Sequence, residues 1–334
     1  MSYWYSVSAP QDDIAVSTRI RLARNINGIP FPSKMKPEQF KMVNEAVRKV
    51  VLESDTPLAN SLKYIAMEDI PEIERFAMVE RHIISHRFAS DYKNRAIIIS
   101  DDESICIMLG EEDHIRVQVL LAGLQFEKAY EIADNIDSLL CGGLDLAFDE
   151  RIGFLTECPT NLGTGLRSSV MLHLPLIESH GEMSGLADSI SKIGLTVRGM
   201  YGEGTKALAS LYQISNQITL GISEKNAIDN LKIIATQLIE KEQGYRAKLN
   251  RIKLEDRCMR SLGILKNARI LTSNEMMARL SDIKLGATQG IIDCNISPIK
   301  LLIEGQPYMI MRKLGEISPD ERDIERAKMI RNSL

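Results

Sequence analysis

Five arginines occupy positions where an uncharged side chain would be the ordinary choice. Arg19 and Arg21 sit two apart in the alternating run Ile14-Ala15-Val16-Ser17-Thr18-Arg19-Ile20-Arg21-Leu22, so a strand puts them on one face with Ser17, opposite Ile14, Val16, Thr18, Ile20 and Leu22. Arg116 falls on the polar face of a second alternating stretch, 114–122, with His114 and Gln118. Arg167 follows Gly163-Thr164-Gly165 where a helix is expected to start, and Arg198 is the polar member of an apolar strand at 195–200. A guanidinium cannot be discharged, so it is poorly tolerated inside a sheet unless an anion meets it. Converging, such groups suit a polyphosphate, which they grip through bidentate bonds. Singly, each is equally at home in solvent or beside a carboxylate.

The acids form a second group. Gly110-Glu111-Glu112-Asp113 sets three carboxylates in a row, which repel unless a cation lies among them; a solvated turn is the plain alternative. In Tyr201-Gly202-Glu203-Gly204 a carboxylate stands between two glycines, on a backbone that a ligand can approach closely, unless the segment is an ordinary turn. In Glu157-Cys158-Pro159-Thr160-Asn161-Leu162-Gly163-Thr164-Gly165, Pro159 holds Cys158 extended. The glycine-and-hydroxyl loop then leads toward the expected helix, whose first amides would receive anionic oxygens. A lone cysteine is more often buried and inert.

These residues need elements to hold them. Pro37 can open a helix with Phe40, Val43, Val47 and Val50 inward. Residues 96–100 and 104–109 read as a hairpin. Closely spaced strands joined by short turns favour antiparallel pairing over parallel crossovers. Helices are expected at 124–140, 167–179 and 185–194, strands at 195–200 and within 212–220. A long helix capped by Ser223 carries Ile228, Leu231, Ala235 and Leu238 inward. Beyond about residue 250 the pattern is helical only; Thr272 with Glu275 and Ser318 with Glu321 have capping-box spacing, and Pro319 suits the first helical position. The fold class is α+β: an antiparallel sheet flanked by helices over 1–252, then a small all-helical unit over 253–334.

Composition bounds the function. The 334 residues carry 41 Lys plus Arg against 45 Asp plus Glu, a net charge of −4, which argues against direct nucleic-acid binding. No apolar run is long enough to span a membrane, and the first residues have no signal-peptide pattern. The 5 cysteines show no zinc or disulfide spacing, and no metal site is expected from protein groups alone. The chain reads as cytoplasmic. There is no P-loop and no His-Arg-Asp catalytic loop. Gly202-Glu203-Gly204-Thr205-Lys206-Ala207 fits the letters of a dinucleotide fingerprint but puts an anion where pyrophosphate would lie. His82 and His86 have no metalloprotease pattern around them.

Together the segments resemble the ATP:guanidino phosphotransferases, the family of creatine and arginine kinases. The matching pieces are Ser17-Thr18-Arg19-Ile20-Arg21, Glu111-Glu112-Asp113-His114-Ile115-Arg116, Cys158-Pro159-Thr160-Asn161-Leu162-Gly163-Thr164-Gly165, Arg167-Ser168-Ser169-Val170 and Arg198-Gly199, collinear over about residues 12–250. The chain looks most like the bacterial protein arginine kinases. Tyr201-Gly202-Glu203-Gly204 and the run Arg322-Asp323-Ile324-Glu325-Arg326-Ala327 resemble that branch. The small-guanidino kinases carry a helical domain before the Ser-x-Arg-x-Arg strand, which begins here at residue 17; a more open acceptor side is the expected consequence.

The resemblance implies a kinase of protein arginine, with ATP and Mg²⁺. Its implied nucleotide contacts are Ser17, Thr18, Arg19, Ile20, Arg21, His82, Arg116, Arg167, Ser168, Ser169, Val170, Met171, Arg198, Gly199, Met200, Tyr201 and Gly202. Met171 stands where small-guanidino kinases often have histidine near adenine. Glu203 is the expected base, Glu112 the second carboxylate on the acceptor guanidinium, and Cys158 a thiolate beside it. Arg322 to Ala327 are expected to bind phosphoarginine as an allosteric site. A homodimer, a Clp ATPase, a heat-shock repressor and a zinc-binding activator protein are implied partners. A kinase of free arginine and a non-catalytic phosphoarginine adaptor are the competing readings; the intact acids, cysteine and arginines disfavour the adaptor.

Overall fold

Ten strands and twelve α-helices are present among the described residues, which are 3–199, 208–293 and 297–334 of a computed structural model. The strands are β1 (Ala15–Arg24), β2 (Leu62–Ala66), β3 (Ala96–Ser100), β4 (Ile105–Leu109), β5 (Ile115–Ala122), β6 (Phe148–Asp149), β7 (Gly153–Phe154), β8 (Leu166–His173), β9 (Leu195–Gly199) and β10 (Leu211–Asn216). The helices are α1 (Pro37–Leu52), α2 (Glu72–Glu80), α3 (His86–Ser90), α4 (Phe126–Gly143), α5 (Pro175–Ser179), α6 (Met183–Ser191), α7 (Glu224–Arg246), α8 (Arg251–Asn267), α9 (Ser273–Thr288), α10 (Pro298–Glu304), α11 (Pro307–Leu314) and α12 (Pro319–Ser333). Eight strands form one sheet in the order β2-β3-β4-β5-β1-β8-β10-β9, every pairing antiparallel. β6 and β7 make a separate small hairpin.

Both sheet faces are covered, for different reasons. One face is continuous Ile, Val and Leu from β1, β3, β4, β5 and β8, buried against α1, α4 and α7. Each such side chain removed from water contributes about 1.5–3 kcal/mol. The other face is covered in two patches. The N-terminal segment, α2 and α3 pack over Ile97, Ile99, Met108 and Leu120. The C-terminal helices pack over Val16, Met171 and Leu211. Between the patches run β5, β1 and β8, with their arginines. Side-chain caps start the helices as the spacing requires: Ser223 accepts from the Asn226 amide, Thr272 from Glu275, and Ser318 closes a full capping box with Glu321.

Two local expectations are corrected. Residues 167–179 are not one helix. Leu166–His173 is a central strand, paired with β1 and β10, and only Pro175–Ser179 is helical. The alternation of Arg167, Ser169 and Met171 against Ser168, Val170 and Leu172 is a period of two, and a sheet needs that strand in its middle. No helix N-terminus therefore follows the cysteine loop, and its amides do not form the expected anion cradle. Val16 does not share a face with Ile20. The β1–β8 register shifts between Ala15 and Ser17, a bulge that turns Val16 toward the C-terminal helices.

Candidate active site

Register brings the scattered arginines together. Arg21 lies opposite Gln118 of β5 and Arg167 of β8, and Arg19 lies opposite Leu120 and Ser169. Arg116 is on the same face of β5, and Gln213 pairs with both Met171 and Arg198. Arg19 Nε reaches Ser169 Oγ at 3.5 Å. A small cavity is lined by Ser17, Arg19, His82, Ser169, Met171 and Gln213, among others.

The electrostatics show the convergence directly. Burial, and then Arg116, lowers the Arg19 pKa to about 10. Burial, followed by Arg19, Arg116 and Arg167, pulls Arg21 well below its ordinary value, and its Nε is buried with no hydrogen-bond partner. Arg167 is lowered by burial and then Arg198. Arg19, Arg21 and Arg167, lowered by burial and by neighbouring guanidinium groups, make a field that a polyanion relieves. This fits the phosphates of ATP.

Each arm of the site has its own support. Arg116 is the cation among the acids: it pairs closely with Glu111 and reaches Glu112 Oε2 at 3.2 Å. Glu111 also takes the Ser85 hydroxyl at 2.5 Å. Asp113 departs from its neighbours, accepting from Asn25 Nδ2 at 2.7 Å and from the Glu157 amide at 2.8 Å, which moors the chain one residue before Cys158. Arg167 donates to Thr160 Oγ1 at 2.8 Å and to Asn161 Oδ1 at 3.3 Å, and the Cys158 Sγ lies 3.1 Å from Thr160 Oγ1. Arg167 also feels the charges of Cys158 and Glu112. Cys158, Glu112, Arg116 and Arg167 therefore border one corner.

Other expected contacts fall elsewhere. Thr18, Ile20, Ser168 and Val170 are fully buried, alternating to the face opposite the arginines. Thr18 Oγ1 instead donates to Gly123 O at 2.7 Å and accepts from the Gln125 amide at the start of α4. Only backbone atoms of these four can belong to the nucleotide face. Glu203, with Met200, Tyr201 and Gly202, lies outside the described residues. Gly199 ends β9 beside Tyr212.

Arg326 is 1% exposed, donating to Gly305 O at 2.7 Å and Leu271 O at 2.8 Å and pairing closely with Asp323. Glu325 pairs with Lys328, and Ile324 is exposed. Arg326 is thus an internal tie of the helical unit, while Arg322 is half-exposed.

His82 follows α2 with a left-handed backbone, φ 63°, and its carbonyl accepts from Gln118 Nε2 at 2.9 Å. Burial, then Arg19, lowers its pKa to about 3. Between that value and the unfolded value near 6.5 the unfolded chain binds the extra proton. This group's contribution to stability is therefore whole above about pH 6.5 and lost as pH falls toward 3. We expect the His82 ring carbon shift in NMR to stay flat from pH 8 to 5 in the nucleotide-free protein; a midpoint near 6.5 would contradict the buried placement.

Sequence reasoning passed over several groups that hold this site. Arg24, Asn25, Ser85, Asn161 and Asn216 are buried or half-buried polar residues, and Asn216 ties the Ser168 amide and Leu166 O across β8 and β10. Asn216 at the end of β10 and Asn25 just after β1 were the available signal.

A sheet face of mutually repelling arginines, with acids and a cysteine at its rim, defines a site for phosphoryl transfer from a polyphosphate. Known proteins agree. The family model described as the ATP:guanido phosphotransferase C-terminal catalytic domain matches residues 42–245, and that of the protein-arginine kinase McsB C-terminal domain matches 251–334. A protein-arginine kinase of Caldanaerobacter subterraneus subsp. tengcongensis is 43% identical over 327 residues, covering 96% of this chain and 97% of that one. One from Brevibacillus brevis is 44% identical, covering 100% and 95%. Among solved structures, lombricine kinase aligns with TM-score 0.62 at 23% identity, covering 75% of this chain and 71% of that one. The Schistosoma mansoni duplicated taurocyamine kinase aligns with TM-score 0.63 at 24% identity, covering 81% and 40%. The chain belongs to the ATP:guanido phosphotransferases, in the protein-arginine kinase branch. It is a kinase, and ATP is its phosphoryl donor.

Proposed function

We propose that this kinase transfers the γ-phosphoryl group of Mg·ATP to a terminal nitrogen of arginine side chains in proteins. The observation that carries the reading is the corner where Glu112, Arg116, Cys158 and Arg167 meet beside the arginine face. An incoming guanidinium needs a carboxylate to orient it and to take a proton, because its nitrogen is a poor nucleophile while protonated. Glu112 and Glu203 serve as those carboxylates, with Glu203 the first choice for base. Cys158, as thiolate, polarises the guanidinium from the side. Arg19, Arg21, Arg116, Arg167 and Arg198 neutralise the charge that spreads over the transferring group, and ADP leaves. Mg²⁺ would arrive with the nucleotide and would supply further neutralisation of the phosphate charge.

The same reading includes cytoplasmic location and a two-unit division at 1–252 and 253–334. It adds a homodimer, a Clp ATPase, a heat-shock repressor and a zinc-binding activator as partners. Among the described residues no helix is long and apolar enough to cross a membrane. A phosphoarginine site at 322–327 is part of the proposal as well, and it requires Arg326 to exchange its carbonyl partners for phosphoryl oxygens.

The test is mass spectrometry under non-acidic conditions after incubation with Mg·ATP and an unfolded polypeptide. Wild-type protein is expected to leave acid-labile phosphate on arginine. Glu112→Gln is expected to slow labelling by roughly 10²–10³-fold. Label confined to free arginine, or found on serine or threonine, would overturn the reading.

A further inference from the structure

The loop that carries Cys158 is flanked by apolar side chains that face solvent. Phe154 N donates to Gly163 O at 2.7 Å, Gly163 N returns to Phe154 O at 3.2 Å, and Thr164 N donates to Thr219 O at 3.0 Å. Three backbones thus run side by side: the β6–β7 hairpin, the cysteine loop and the segment after β10. The approach is close enough to demand glycine. A Cβ on Gly153 would lie 2.5 Å from Gly163 O, and one on Gly163 would lie 2.4 Å from Thr219 O. Thr219 Oγ1 adds bonds to Thr160 O at 3.1 Å and Leu162 O at 2.7 Å.

On this ledge Phe148 is 57% exposed, Ile152 40%, Ile218 50% and Leu220 51%. Phe148 is held rather than loose: its ring meets Phe154 edge-on at 5.1 Å, and the Arg24 guanidinium lies 3.5 Å above Phe154. The charge beside it is acidic. Asp145, Asp149, Glu150 and Glu157 outnumber Arg151 between residues 145 and 157. Four large apolar side chains spread over two strips, beside the loop that carries Cys158, offer a surface to an apolar partner that arrives with the acceptor.

We propose that this ledge is the docking surface for an extended, unfolded polypeptide, taking apolar side chains that flank the acceptor arginine while the acidic tip attracts a basic segment. The inference rests on the acceptor being a protein arginine. Adjacency to the Cys158 loop decides the occupant: a chain whose arginine reaches that corner must lay its neighbouring residues on one strip or the other. An extended strand repeats a side chain on one face about every 7 Å, so residues two before or after the arginine are the ones that land.

The experiment compares two acceptors: a reduced, carboxymethylated protein that stays unfolded, and a short peptide with glycines on both sides of one arginine. The variants are Phe148→Ser with Ile152→Ser, and Ile218→Ser with Leu220→Ser, all at exposed positions. Each pair is expected to raise KM for the unfolded protein roughly tenfold, with KM for ATP and turnover of the glycine-flanked peptide unchanged. Equal loss on both acceptors, or no change on either, overturns the ledge. So does a changed oligomeric mass in light scattering, which assigns the surface to contacts between copies. Wild-type enzyme that labels free arginine but neither polypeptide overturns the acceptor reading and the ledge with it.

Discussion

Replacing Arg21 by methionine is expected to lower kcat about a thousandfold while making the nucleotide-free protein more stable. Arg21 is opposed by three neighbouring guanidinium groups, with Glu111 as the acid that relieves it. Its half-buried guanidinium lies among Arg19, Arg116 and Arg167, its Nε is buried with no hydrogen-bond partner, and its pKa is pulled down by burial first and by those neighbours second. Removing one member of such a group removes desolvation and repulsion together. The expected gain is on the order of 1 kcal/mol or more, read as a raised thermal midpoint. Added ATP is then expected to raise the wild-type midpoint and leave that of the variant nearly unmoved. A variant that is less stable without nucleotide would show that Arg21 is a structural ion after all.

Arg24→Ala is expected to do the reverse, destabilising by about 3–5 kcal/mol with the loss seen in the denaturant midpoint before any assay. Arg24 is three residues further along the same strand, and an odd step puts it on the other face. There it is fully buried, forked onto Asp137 at 2.8 and 2.7 Å, and it donates to Thr164 O and Ala23 O at 2.9 Å. Nothing larger than hydrogen fits opposite: a Cβ on Gly165 would sit 2.6 Å from its Nη1. Cutting the side chain leaves Asp137 without its main cation and frees the Thr164 end of the cysteine loop. Arg24→Lys is expected to recover only part of the stability, since an ammonium cannot make the fork. If Arg24→Ala melted within a degree or two of wild type, the loop's anchoring would have to be sought elsewhere.

These two arginines separate what one dimension carries from what three decide. The alternation of Ala15–Arg24 is written in the residues, and it already placed Arg19 and Arg21 on a common face. Glycine, proline and capping residues marked the cysteine loop and the ends of the long helices, because turn and cap geometry depends on nearest neighbours. The motifs were enough to suggest the phosphotransferase family.

Local pattern does not carry the partner of each strand. That β8 lies beside β1, so that Arg167 faces Arg21, follows from a register between residues about 150 apart in the chain. It also made a strand of the first part of the helix expected at 167–179, leaving only Pro175–Ser179 helical. The bulge at Val16 and the different fates of Glu111, Glu112 and Asp113 depend on neighbours far along the chain. So does the burial of Arg326, a member of the run expected to bind phosphoarginine. Side-chain type and period are local and can be read from the chain. Which charge meets which is a long-range packing outcome, and only the folded sheet decides it.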